Sequence, residues 1–105
     1  MKLITIEDCI EALAGTHEHI VCSKEIEFSD KGLIYSLARQ TVKGTAYTDR
    51  QRELAISKAT HYKSILEEVD IDVTTSVTQL RMPLRSIDRS RWIKLKNQMQ
   101  SLIPF

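Results

Sequence analysis

"RWIKLK", residues 91–96, is the stretch on which the fold turns. With a period of two, Ile93 and Leu95 fall on one side and Trp92, Lys94 and Lys96 on the other, the alternation of a half-buried strand. The aliphatic pair then faces a core, and the only tryptophan of the chain stands outward with two lysines. Upstream, Pro83 imposes extended backbone on Met82 and suits an edge or loop. Asp88, Arg89 and Ser90 make a turn, so that 84–87 and 91–96 become two arms of an antiparallel hairpin.

Working outward from there, the chain changes period. "TDRQRELAISKATHYKSILEEV" starts with a capping box, Thr48 and Gln51, and carries an apolar stripe of Ala55, Ala59, Tyr62, Leu66 and Val69. It predicts one long helix over 48–69. "SDKGLIYSLARQTVKG" predicts a second over 29–43, capped by Ser29, with Gly44 past its end. Leu33, Leu37 and Thr41 form one row of it, and Ile34, Ala38 and Val42 the next. "TIED" at 5–8 is another capping box and opens a short helix over 5–14, ended by Gly15. Ile20, Cys22, Ile26 and Phe28 sit on even positions and predict short strands near 19–28. The expected fold class is α+β: about three helices with a small antiparallel sheet or C-terminal β-hairpin.

The 105 residues, 42% hydrophobic and 28% charged, suit one globular domain. No apolar run reaches the roughly 20 residues of a membrane span, and Glu7 and Asp8 interrupt the start as a signal peptide would not allow. A cytoplasmic protein is expected. Cys9 and Cys22 then stay reduced among apolar neighbours. "HEHIVC" offers His17, His19 and Cys22 to a metal, but no second ligand cluster of zinc spacing follows, so no metal and no cofactor are expected.

The net charge of +1 conceals a segregation. Residues 1–30 hold two basic and seven acidic groups, whereas 73–105 hold six basic groups and Asp88 alone. The basic six are Arg81, Arg85, Arg89, Arg91, Lys94 and Lys96. A merely solubilising face mixes signs more evenly. With Trp92 among them, these cations suit a single nucleic-acid strand, the lysines and arginines meeting phosphates while the indole stacks on a base. Arg39, Lys43, Arg50 and Arg52, near the link between the two longer helices, extend the path. The plainer readings are edge-strand protection by cations, a tryptophan covering the rim of a small core, and Arg39 with Lys43 complementing a helix dipole. No helix-turn-helix, zinc finger or basic zipper is evident, which disfavours duplex reading.

Two pieces, "TDRQRELAISKATHYKSIL" (48–66) and "MPLRSIDRSRWIKL" (82–95), together resemble a segment near the N-termini of some phage-encoded helicases. Size and the basic C-terminal half also resemble small single-stranded DNA-binding proteins of short-tailed phages that serve as RNA polymerase cofactors. The resemblance spans about residues 48–95 and carries onto Gln51, Arg85, Ile87, Asp88, Arg89, Ser90 and the strand after them. It implies association with single-stranded DNA in a host cytoplasm and a phage RNA polymerase or replication complex as partner. No helicase nucleotide motif is present, so only an accessory module would be shared.

Catalysis has little support: there is no phosphate-cradling glycine loop and no nucleophile with a partnered histidine in a defined motif. Glu67, Glu68, Asp70 and Asp72 cluster as in a Mg²⁺-dependent nuclease, yet acids at a helix end usually face water. A homo-oligomeric single-strand binder is expected, since repeated domains lengthen a short path by avidity. The competing expectation is an interaction adaptor whose acidic and basic ends drive oligomerisation or docking on a polymerase or helicase.

Overall fold

The expected capping box at Thr5 forms. Thr5 Oγ1 accepts from the Asp8 amide and Asp8 Oδ2 accepts from the Thr5 amide, each at 3.0 Å, which launches α1 (Ile6–Ala14). Gly15 ends it in the left-handed region, φ 78°, where a side chain is disfavoured. The chain then folds back, and its amides close the end of α1: Thr16 and His17 donate to the Glu11 carbonyl and Cys22 to that of Ala12. In the computed structural model, which describes residues 5–17, 20–22, 24, 26–73 and 89–100, four further helices follow. They are α2 (Phe28–Val42), α3 (Asp49–His61), α4 (Lys63–Glu67) and α5 (Arg89–Gln100).

The fold class is therefore all-α, not α+β: the described residues contain no sheet. The expected strands near 19–28 are irregular backbone at 20–22, 24 and 26–27, after which α2 begins. The expected arm at 91–96 is helix. Its burial shows why: Leu95 is fully buried while Ile93 is 57% exposed, so the two do not share a face. The pair that faces the core is Trp92 and Leu95, three apart, the spacing of a helical stripe. The other arm, 84–87, with Pro83 and the Asp88 end of the turn, lies outside the described residues.

All nine residues of α1 are buried, because it packs against α2, α3 and α4. It is the centre of the molecule, not an acidic surface. Ile6, Cys9, Ile10 and Leu13 from α1 meet Ile34, Leu37 and Ala38 from α2, Ala55 and Ala59 from α3, and Leu66 from α4 in one core. Glu7, Asp8 and Glu11 are enclosed with them. The stripe expected for the long helix is present, but the helix breaks at Tyr62, whose φ of −102° and ψ of 26° leave the helical region. That break lets the Tyr62 hydroxyl reach back to α2. The start of α2 also differs from expectation. Glu27 stands at the cap position without a side-chain hydrogen bond, and Ser29 is inside the helix.

Candidate nucleic-acid interface

The site rests on the docking of α5 against α2. Leu95 anchors α5 in the core, which swings Trp92, one turn earlier, onto the C-terminal half of α2 as a half-buried ring. Arg39 and Lys43 are one turn apart on α2 and both exposed. The Arg39 guanidinium lies 5.5 Å and Lys43 Nζ 5.8 Å from the centre of the Trp92 ring. Each contact is worth about 0.5–1 kcal/mol at an exposed site. Neither cation has a carboxylate within 4.0 Å among the described residues, and both are exposed.

Helical geometry redistributes the other cations. At about 100° per residue, Lys96 lies within about 40° of Trp92 around α5, whereas Lys94 is about 200° away. Both are exposed, but they no longer flank the indole together as a strand would have them. Arg89 and Arg91 belong to α5, with side chains outside the described set. Arg81 and Arg85 lie outside the described residues altogether.

Arg50 is exposed and Arg52 half-buried in the first turn of α3. Arg52 Nη1 is 3.9 Å from Asp49 Oδ1 on the surface, a pair of small worth. What ties this turn to α2 was not anticipated. Gln40 Nε2 donates to Gln51 Oε1 at 2.9 Å and Gln51 Nε2 donates to Gln40 Oε1 at 2.7 Å. Gln40 Nε2 also reaches the Ala46 carbonyl at 2.7 Å, and Gln51 Oε1 accepts the Thr48 amide at 2.9 Å. This double amide clamp joins the residue after Arg39 on α2 to the residue after Arg50 on α3. The capping-box signal had located Gln51 without hinting at its second partner, because Gln40 is 11 residues away.

The chemical alternatives weaken in the structure. His17 is buried, with Nε2 3.2 Å from Asp8 Oδ1 and Nδ1 accepting from the Ile20 amide at 3.0 Å. Both nitrogens are engaged in pinning the returning chain to α1. The Cys22 thiol is pushed up to about 11, first by burial and then by Cys9 and Glu68 nearby, so it is a poor thiolate ligand. His19 lies outside the described residues. Of the acidic run, Glu68 pairs with Lys24 at 2.7 Å and Glu67 with Lys63 at 3.8 Å, while Asp70 takes a left-handed backbone, φ 63°. Glu67 and Glu68 thus go to separate lysines, and the four acids are not among the described groups whose ligand atoms converge within reach of one ion.

No helix among the described residues is long and apolar enough to cross a membrane. Comparison with protein-family models, with curated proteins and with solved structures finds no match to this chain.

Proposed function

We propose that this chain binds single-stranded nucleic acid, DNA first, without strong sequence preference. The surface is that of α2 and α5: Arg39, Lys43, Trp92 and Lys96, extended by Arg50 and Arg52 across the clamped turn and by Arg81, Arg85, Arg89, Arg91 and Lys94. The observation that carries the reading is the exposed pair Arg39 and Lys43, set on an indole and lacking any described carboxylate. Phosphates draw the two cations outward, and the ring face they release accepts a base. Each base stacked in this way contributes roughly 1–3 kcal/mol. Such a binder, cytoplasmic and self-associating along the strand, would serve a phage RNA polymerase or replication complex, as the resemblance of residues 48–95 implies.

The adaptor reading needs an acidic surface at the N-terminal end. Of the five acids described in residues 1–30, only Glu27 is exposed, while Glu7, Asp8, Glu11 and Asp30 are buried. That burial favours the nucleic-acid reading.

Titration of Trp92 fluorescence with matched single-stranded and duplex oligonucleotides, across ionic strength, tests the proposal. Quenching by single strands, reversed by salt and weaker with duplex, is expected. Unchanged emission together with no mobility shift at low salt would overturn it.

A further inference from the structure

A second group of ionisable side chains meets where the start of α2 faces the end of α3. Asp30 is buried there. Lys58 Nζ donates to its Oδ1 at 2.6 Å, and the Tyr62 hydroxyl donates to its Oδ2 at 2.5 Å. The Glu27 amide in turn donates to the Tyr62 oxygen at 3.2 Å. Lys58 and Tyr62 between them thus engage both carboxylate oxygens of Asp30 and fix its orientation. Two exposed side chains, Glu27 and His61, approach the same point. One ligand atom each from Glu27, Asp30 and His61 lie within 4.8 Å of one another.

We propose that Glu27, Asp30 and His61 form a binding site for a divalent transition-metal ion of the zinc class. Two carboxylates and one imidazole, with a fourth position left to water, are a donor set that Zn²⁺ accepts. Ca²⁺ and Mg²⁺ prefer more oxygen ligands and no imidazole. Asp30 is the fixed member, oriented by the Tyr62 hydroxyl in the manner of the hydrogen-bonded outer partners that steady ligands in metal sites. Glu27 and His61 are the mobile members. With metal–ligand distances of about 2.0–2.2 Å, the three atoms must draw closer than they now stand. Exposed side chains supply that movement by rotamer change.

Lys58 is the competitor. Its ammonium now occupies Asp30 Oδ1, and its side chain is 26% exposed, so an arriving dication displaces it toward water. The site is therefore weaker than one without an internal cation, and removing that cation strengthens it. This inference is independent of the nucleic-acid surface, and its test contains no nucleic acid.

The test uses the full chain stripped with chelator, titrated with Zn²⁺ by calorimetry and with Co²⁺ by visible absorption. One ion per chain and the intense bands of tetrahedral cobalt are expected. Glu27→Gln and His61→Ala, both at exposed positions that leave the core intact, each weaken binding by about tenfold or more, the scale at which even outer partners act. Lys58→Met tightens it. Absence of heat and of cobalt bands at millimolar ion overturns the proposal. So does binding that survives His61→Ala but disappears on substituting His17, His19 or Cys22.

Discussion

The Arg39 guanidinium and the Trp92 ring, 5.5 Å apart, join two helices that are far apart in sequence and make one surface of them. An exposed arginine alone would be a solvated charge, and a half-buried tryptophan alone would be the rim of a core. Lys43, one turn along α2 and 5.8 Å from the same ring, turns the contact into an aromatic platform bearing two cations. Its position follows from Leu95, which fixes the rotation of α5, and so the site depends on the packing beneath it.

Arg39→Ala and Lys43→Ala are therefore expected to weaken single-strand binding with little loss of stability, since both side chains are exposed. Each substitution should make the slope of log affinity against log salt shallower by about 0.7, and the double variant by about twice that. Fluorescence titrations at several salt concentrations read the slope directly. An unchanged slope in the double variant removes both residues from the phosphate path.

The two aliphatic residues of α5 should behave differently. Leu95 has no exposed surface, so Leu95→Ala costs about 2–5 kcal/mol through lost burial and the cavity left behind. Ile93 is 57% exposed, and Ile93→Ser should fall within about 0.5 kcal/mol of the parent. Denaturant unfolding of the two variants measures the difference. Equal, large losses at both positions would be the signature of a strand with a shared inner face.

That contrast also shows how much of the fold was legible in the sequence. The two capping boxes, Thr5 with Asp8 and Thr48 with Gln51, are local chemistry and were readable from spacing alone. So were the terminal glycines and the apolar rows of α2. The C-terminal segment misled because six residues are too short to separate two periods: Ile93 and Leu95 satisfy alternation, while Trp92 and Leu95 satisfy a helix. Tertiary contact with α2 decides the matter. The acidic N-terminal third misled for a related reason. Charge counting treats Glu7, Asp8 and Glu11 as surface groups, yet α1 is packed on by three other helices and encloses all three. Of the candidate site, the individual cations and Trp92 were visible in sequence. The contact of Arg39 and Lys43 with Trp92 was not, because it depends on the rotation of α5 against α2.

Removing that clamp should loosen α3 from α2. Gln51→Ala deletes both amide–amide bonds and the reciprocal half of the Thr48 box. A partly exposed hydrogen bond contributes about 0.5–1.5 kcal/mol and a cap about 1 kcal/mol, so a loss of roughly 1–3 kcal/mol is expected. Amide hydrogen exchange should rise first in the early turns of α3. A stability change no larger than that of Arg50→Ala, a neighbouring exposed position, would show the clamp to be inert.

The Asp30–Tyr62 bond sets the response to pH at both extremes. Burial first, and the bond to Asp30 second, push the Tyr62 hydroxyl from 10.0 up to about 12. A group raised in the folded state resists losing its proton there, while the unfolded chain loses it near 10. Its contribution is therefore complete below about pH 10 and disappears as pH climbs toward 12. Asp30 is shifted the other way, so its contribution is present above the ordinary carboxyl value and is lost as pH falls through its lowered one. Tyr62→Phe should cost roughly 1.5–3 kcal/mol at neutral pH, the range for a hydrogen bond to a charged group. It should also flatten the decline above pH 10 and move acid unfolding to higher pH, because Asp30 loses one of the two donors that favour its anion. Tyr35, raised by burial alone, keeps some alkaline slope in the variant. Thermal unfolding from acid to alkaline pH measures both limbs. Limbs that match the parent's at each end would mean that the hydroxyl and the carboxylate do not titrate as partners.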